Sequence, residues 1–410
     1  MKRAERSAAV LSLLLLPTLQ SPSGAAANTA GAFVRSLGTA SRTLPSDAKA
    51  HGSLGPVLTV GKGGTIFGFD IDQHGSDGLL AFENSSDNRA EVDTFDQTTA
   101  KITKRVATLK NSQNDFVMEG IFSDDVGLVD EEIVGSSGFV TAEDYNVLNP
   151  VTGGAFTGTW TPPIALERVE GYAENQTTST SILFAIELTN NDVPDLLVSD
   201  IAAGTFAPVI HLNANDFALG AQPQVAQDAV LDDAVLATSP DFGEVGGTTP
   251  PLIELINLSS GKITKFNGFN NGPVGAGFVN GLAVDSNTHI ACTTTELNAS
   301  VEFYDLKKRA GITVSLPNTN TNDQIAAGWS VAVDQVNKLF LVTQPFDSVT
   351  GTGSAIYAYD EKGKLVESIH GFTFSFPGLA LNPSARIGYV SIESDNSSGP
   401  KLNQLQEFSY

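Results

Sequence analysis

Seven times along the 410 residues a short strand-like run ends on Asp or Asn, at a spacing that drifts little. The runs are Gly68-Phe-Asp-Ile-Asp72, Gly120-Ile-Phe-Ser-Asp124, Gly171-Tyr-Ala-Glu-Asn175, Gln224-Val-Ala-Gln-Asp228, Gly281-Leu-Ala-Val-Asp285, Ser330-Val-Ala-Val-Asp334 and Gly378-Leu-Ala-Leu-Asn382. From Asp72 to Asn382 the six intervals average about 52 residues, longer than a small helical repeat and enough for four short strands.

A second series locates a hairpin inside each unit. It reads Asp96-Gln-Thr-Thr-Ala-Lys-Ile102, Asn149-Pro-Val-Thr-Gly-Gly154, Asp200-Ile-Ala-Ala-Gly-Thr-Phe206, Asn257-Leu-Ser-Ser-Gly-Lys-Ile263, Asp305-Leu-Lys-Lys-Arg-Ala-Gly311 and Asp360-Glu-Lys-Gly363. Asp or Asn opens a turn by bonding its own backbone, and Gly a few residues on supplies the positive φ that closes it. Ala355-Ile-Tyr-Ala-Tyr-Asp360 alternates as a half-buried strand should.

Seven inner strands stand against six such hairpins, and that mismatch predicts how the chain closes. The seventh unit, Phe376 to Tyr410, ends after the strand Leu405-Gln-Glu-Phe-Ser-Tyr410 and lacks an outer strand. Pro56-Val-Leu-Thr-Val60, just before the first inner strand, supplies one, and the pairing covers an edge that would otherwise be open. The predicted fold is all-β: a β-propeller of seven four-stranded blades closed by pairing of its N- and C-terminal strands. Six or eight blades stay open, because the second to fourth units are degenerate.

Gly378-Leu-Ala-Leu-Asn-Pro-Ser-Ala-Arg-Ile-Gly-Tyr-Val-Ser-Ile392 and Gly281-Leu-Ala-Val-Asp-Ser-Asn-Thr-His-Ile290 resemble the blade openings of bacterial YVTN-type and NHL-type β-propellers, clearly over residues 278 to 410. The resemblance implies blade architecture. It does not choose among the binding modules, scaffolds and enzymes built that way.

One such ring, residues 56–410, uses nearly all of the chain. Residues 28–55, rich in Ala, Gly, Ser and Thr, read as a flexible leader. Residues 1–27 read as a signal peptide: Lys2, Arg3 and Arg6, then an apolar run from Ala8 to Leu16, then Ala25-Ala26-Ala27 for cleavage. A secreted or periplasmic protein follows, with no membrane span and no Cys placed for a lipid anchor. Cys292, the only cysteine, sits in a strand and reads as a small buried packing residue. Five glycosylation-type sequons, at Asn84, Asn175, Asn257, Asn298 and Asn396, match by chance often enough to carry no argument.

Removing residues 1–27 takes away three bases and one acid, leaving 20 Lys and Arg against 45 Asp and Glu, a formal charge of −25. Nucleic acid and anionic membranes reward the opposite charge and are disfavoured as partners. Cations and basic proteins fit. The acidity also serves solubility alone.

Catalytic patterns are sparse. The histidines, His51, His74, His211, His289 and His370, show no metal-ligand spacing and read as leader, turn or strand-end residues. Gly61-Lys-Gly-Gly64 lacks the spacing of a phosphate loop and reads as the bend after the closing strand. Asp70-Ile-Asp-Gln-His-Gly-Ser-Asp77 departs from calcium-loop spacing, so no cofactor is assigned and calcium lacks a motif. Asp124-Asp125 and Asp130-Glu131-Glu132 read as solvated turns flanking a very short strand.

One carboxylate pattern recurs at the predicted ends of the second strands: Glu83, Glu131, Glu187, Glu296 and Glu393, with Gln344 and Ser239 in the remaining units. These five are the candidate ligand-binding residues, as a diffuse acidic annulus rather than a chelate. The competing structural reading has each carboxylate accept N–H groups of the following loop. The reading of the whole chain is a monomeric, non-catalytic propeller that binds a cationic ligand or protein. The alternative is a metal-dependent hydrolase or lactonase of propeller type.

Overall fold

The computed structural model describes residues 52–60, 65–84, 89–108, 118–121, 126–134, 140–149, 154–160, 162–164, 166–176, 178–187, 193–200, 203–213, 224–238, 252–267, 279–295, 299–317, 328–345, 353–373, 375–394 and 401–410. For the second sheet and several strand ends it describes the backbone alone.

The strands pair antiparallel into seven sheets, each laid down in chain order. The first holds Ile66–Ile71, Asp77–Asn84, Arg89–Asp96 and Lys101–Thr108, and the second Met118–Ile121, Val126–Val134, Val140–Asn149 and Gly154–Trp160. The third holds Leu166–Asn175, Thr180–Glu187 and Val193–Asp200, with its outer strand split into Thr205–Phe206 and Ile210–His211. The fourth holds Gln224–Asp228, Asp233–Thr238, Leu252–Asn257 and Ile263–Asn267, and the fifth Val279–Asp285, Ile290–Thr295, Ser300–Asp305 and Ala310–Ser315. The sixth holds Val331–Asp334, Leu339–Gln344, Ser354–Asp360 and Leu365–Phe372. The seventh joins Ser375–Asn382, Ile387–Ser394 and Lys401–Ser409 to Ser53–Thr59.

The first strand of each sheet touches that of the next, and the seventh touches the first. This is a β-propeller with four-stranded antiparallel blades. Apolar side chains fill the gaps between sheets: Val235, Ile253 and Leu255 of the fourth meet Val284 and Tyr304 of the fifth, whose Phe303 meets Phe340 and Tyr359 of the sixth. Cys292 is fully buried in that second cluster, and burial pushes its thiol well above the usual range, as suits a packing residue. Among the described residues no helix is long and apolar enough to cross a membrane.

Closure runs as the strand arithmetic predicts, with one correction. Ser53–Thr59 pairs with the C-terminal strand, Leu54 opposite Phe408 and Leu58 opposite Leu405. The closing strand therefore starts at Ser53, and residues 53–55, assigned above to the leader, belong to it. Pro56 has no N–H to donate. The register accordingly slips between Leu54 and Val57, the bulged edge position where proline is tolerated.

The opening Asp or Asn of every run in the second series ends the third strand of its sheet, and the closing Asp or Asn of the first series ends, or directly follows, the first strands wherever it is described. The turns show why. The residue four beyond the Asp or Asn takes the left-handed conformation, as at Ala100, Ser179, Gly204, Asp232, Gly261, His289, Arg309, Lys338 and Arg386. The opening side chain bonds the turn N–H groups: Asp285 accepts from Asn287 N at 2.9 Å and Asp334 from Asn337 N at 2.8 Å. Glycine is thus not obligatory. In the fifth sheet Arg309 occupies the position, while Gly311, expected to close that turn, lies within the outer strand.

Candidate ligand-binding face

Backbone pairing places the five predicted carboxylates unequally. Glu83 and Glu393 are each one residue from the end of a second strand, and Glu187 is the final residue of one. Glu131 lies inside Val126–Val134, opposite Asp144, and not at its end. The second strand of the second sheet runs straight through Asp130-Glu131-Glu132, so that run is strand and not a solvated turn flanking a short one. Glu296 follows the last residue of Ile290–Thr295 and lies outside the described residues, as do Ser239, His51, Asp124-Asp125 and Gly61-Lys-Gly-Gly64. The side chains of Glu83, Glu131, Glu187 and Glu393 are likewise outside them. Gln344 ends the second strand of the sixth sheet and is fully buried.

A different row of carboxylates is described in full. On the third strands, Glu91 and Asp93 of the first sheet, Asp195 of the third, Glu254 of the fourth and Glu302 of the fifth are all buried. Asp93 pairs with Arg105 on the adjacent outer strand, Asp195 with His211, Glu254 with Lys265 and Glu302 with Thr313. Contacts follow the pairing: His211 Nδ1 to Asp195 at 2.7 Å, Lys265 Nζ to Glu254 at 3.3 Å, and Thr313 Oγ1 donating to Glu302 at 2.8 Å. Arg105 reaches Asp93 at 3.8 Å and also contacts Glu91. Each contact lies within one sheet, with Arg105 serving both carboxylates of the first, and each is buried where a lone carboxylate would be costly. They are spread around the ring and converge on no common point.

The signal for this row was present in the sequence. Asp93, Glu254 and Glu302 each precede the hairpin Asp or Asn by three residues. An acidic residue mid-strand reads as solvent-facing until the partner sheet is known, so periodicity alone passes over it.

Two carboxylates sharing Arg105 leave a titrating group. Burial pushes the Asp93 carboxyl from 3.8 up to about 6, Arg105 acting against the rise and Glu91 adding to it. Because the folded value is the higher, its stabilising contribution is complete below 3.8 and is lost as pH rises through about 6. Asp93→Asn should therefore flatten the change in melting temperature between those values. An unaltered difference between variant and parent from acid to neutral pH would show that Asp93 does not titrate there.

The inner turns hold a second set of links between sheets. His289 Nδ1 lies 2.7 Å from Asp228 Oδ2, so this turn histidine is buried and paired rather than a surface residue. Ser286 Oγ accepts from Ala229 N at 3.0 Å and donates to Gln227 O at 3.3 Å. Ser, His and Asp occur here together, yet the hydroxyl is spent on backbone and the imidazole on the carboxylate. The trio ties the fourth sheet to the fifth instead of assembling a nucleophile and base. Tyr410 OH donating to Asp334 at 3.0 Å, and Asn382 Nδ2 donating to Gln97 at 3.0 Å, do the same further round. Gln176 of the third sheet donates at 3.1 Å to Ile71 O of the first, reaching past the four-residue first strand of the second. His74 is an exposed turn residue whose N–H bonds Asp72. Among the described residues no three His, Cys, Asp or Glu side chains are grouped to hold a metal ion.

No protein-family model matches the chain, and no curated protein matches it. Among solved structures it is similar to one titled "Structure of U3-55K", at 11% identity and a TM-score of 0.58, covering 87% of this chain and 98% of that one. At that identity the likeness shows the propeller fold alone.

Proposed function

We infer that this is an exported, non-catalytic, monomeric propeller that binds a cationic ligand or basic protein on the face where its second strands end. In this reading all seven sheets are blades of one ring, of the YVTN/NHL type suggested by residues 278–410, and the mature protein begins near Asn28. The observation that carries it is positional. Glu187 closes a second strand, Glu83 and Glu393 stand one residue from the ends of theirs, Glu296 directly follows one, and the chain around them is strongly acidic. Clustered like charge costs stability unless a cation or donor offsets it, which makes such a ring a natural receptor for positive charge. Glu131 belongs to the face only loosely, from mid-strand.

Replacing Glu187 and Glu296 together with Gln should weaken binding of a divalent ion or an oligolysine peptide severalfold and flatten its salt dependence. Unchanged binding with a lower melting temperature would make the carboxylates structural caps. A stoichiometric metal in the purified protein together with lactone hydrolysis would overturn the non-catalytic reading in favour of a metal-dependent hydrolase.

A further inference from the structure

The opposite face, made of the hairpin turns, carries charge of the other sign over one arc. The five turns 285–289, 305–309, 334–338, 360–364 and 382–386 belong to the fifth, sixth and seventh sheets. They contain five carboxylates and seven Lys or Arg residues, in a chain whose formal charge is −23. The carboxylates are also the better neutralised. Asp285 and Asp334 are fully buried. Asp305 accepts from Lys308 N at 2.8 Å and from Lys308 Nζ at 2.6 Å, and Asp360 accepts from both Lys362 N and Lys364 N at 2.9 Å. Glu361 faces Lys338 at 3.7 Å. The turns thus use their acids internally while Lys307, Arg309, Lys362 and Lys364 stand exposed.

These bases form one patch. Gly363 packs against Phe303 and Val314, seating the outer hairpin of the sixth sheet on the fifth. Arg386 of the seventh lies 3.9 Å from the buried Glu367 of the sixth and 5.4 Å from the centroid of the Tyr410 ring, whose hydroxyl bonds Asp334 of the sixth, so it joins the two sheets and the free charge of the patch is that of the four exposed bases above. The left-handed turns fix the backbone from which each side chain projects.

We propose that the turn face of the fifth to seventh sheets is a docking surface for a short acidic polypeptide segment. Size decides against broader polyanions. Screening confines the attraction to about 8 Å at physiological salt, so a compact segment meets only the basic arc. A membrane or a long nucleic acid would also meet the acidic remainder of the molecule. Lysine predominates in the arc, giving point charges suited to carboxylates on a flexible peptide rather than the fixed forks that read phosphate. This surface is independent of the acidic face proposed above.

The test uses the full-length protein and a labelled oligoglutamate peptide. Saturable binding that weakens with salt is expected. Lys307→Glu, Lys362→Glu and Lys364→Glu together should cut the affinity about tenfold or more, and the three Gln replacements less, since each exposed pair contributes modestly. None of these side chains bonds within its turn, so the melting temperature should hold, and the Gln set guards against a reversal variant that folds poorly. No binding to the parent at low ionic strength, or equal binding by the variants, overturns the proposal. So does binding of heparin or anionic vesicles without the peptide. Self-association abolished by the same variants, again without peptide binding, overturns it in favour of a second copy of the chain.

Discussion

Deletion of Leu402 to Tyr410 should leave a protein that does not accumulate in soluble form. The deletion removes the third strand of the seventh sheet and the partner of the closing strand together. Leu405 and Phe408 are fully buried and Tyr410 nearly so. Burying each such side chain contributes roughly 1.5–3 kcal/mol, so three of them approach the 5–15 kcal/mol by which a typical domain is stable. The loss also unpairs Gln406 Nε2 from Gly55 O at 2.8 Å, Asn403 O from Val60 N at 3.0 Å and Tyr410 OH from Asp334. Two raw strand edges then face solvent, an aggregation hazard. Removing residues 1–59 is the graded comparison. Of the described sheets it takes the outer strand of the seventh, where Leu58 is buried and Leu54 and Val57 are exposed, so folding should survive with a lower melting temperature. Soluble yield and thermal melts of the two truncations check the order. Normal yield and melting of the C-terminal deletion would mean that the ring does not depend on this strand.

The closure was legible because it follows from counting strands, and the strand ends because Asp and Asn mark turns chemically. Strand content in the second unit was less legible. Asp130-Glu131-Glu132 lies within a nine-residue strand, and a charged run carries no apolar alternation by which strand could be told from loop. The same limit applies to Asp93, Glu254 and Glu302, whose burial is set by the neighbouring sheet and by a partner on the adjacent strand, Arg105, Lys265 and Thr313 respectively, both distant from any local window. Hydrogen bonds such as His289 to Asp228, 61 residues apart, are tertiary facts of the same kind. The left-handed Ala100 and Arg309 show the converse: once Asp fixes a four-residue turn, the closing position is adopted without glycine, so reading the turn from Gly alone misplaces it.

Gly281→Val should be among the most destabilising single substitutions in the chain. The recurrent glycine of the first series has two structural reasons, both visible here. At Gly68, Gly171 and Gly281 the ladder to the second strand slips just before the glycine, and it slips again across Ser375 to Leu379, around Gly378. Where the series has Gln224 or Ser330 instead, the ladders show no slip, and Gly120 in the second sheet also sits in a regular one. Glycine thus accompanies a bulge in four of the sheets, as expected where a strand must bend and a neighbouring backbone comes close. Side chains crowd Gly378, whereas Gly281 is the case blocked by backbone. A Cβ there would lie 2.8 Å from both Trp329 O and Val331 N on the next sheet, backbone atoms that cannot rotate away. Relief requires the first strands of the fifth and sixth sheets to separate beside the Ala283, Cys292 and Phe340 cluster. Overpacking of this kind costs about 1–3 kcal/mol where side chains can yield, and more where backbone must move. Gly204→Ala is the contrast, since a Cβ there meets nothing within 4 Å and only its positive φ is penalised. Denaturant melts should therefore rank Gly281→Val well below Gly204→Ala. Equal stability of the two would mean that the sheets near the axis have slack that this packing does not contain.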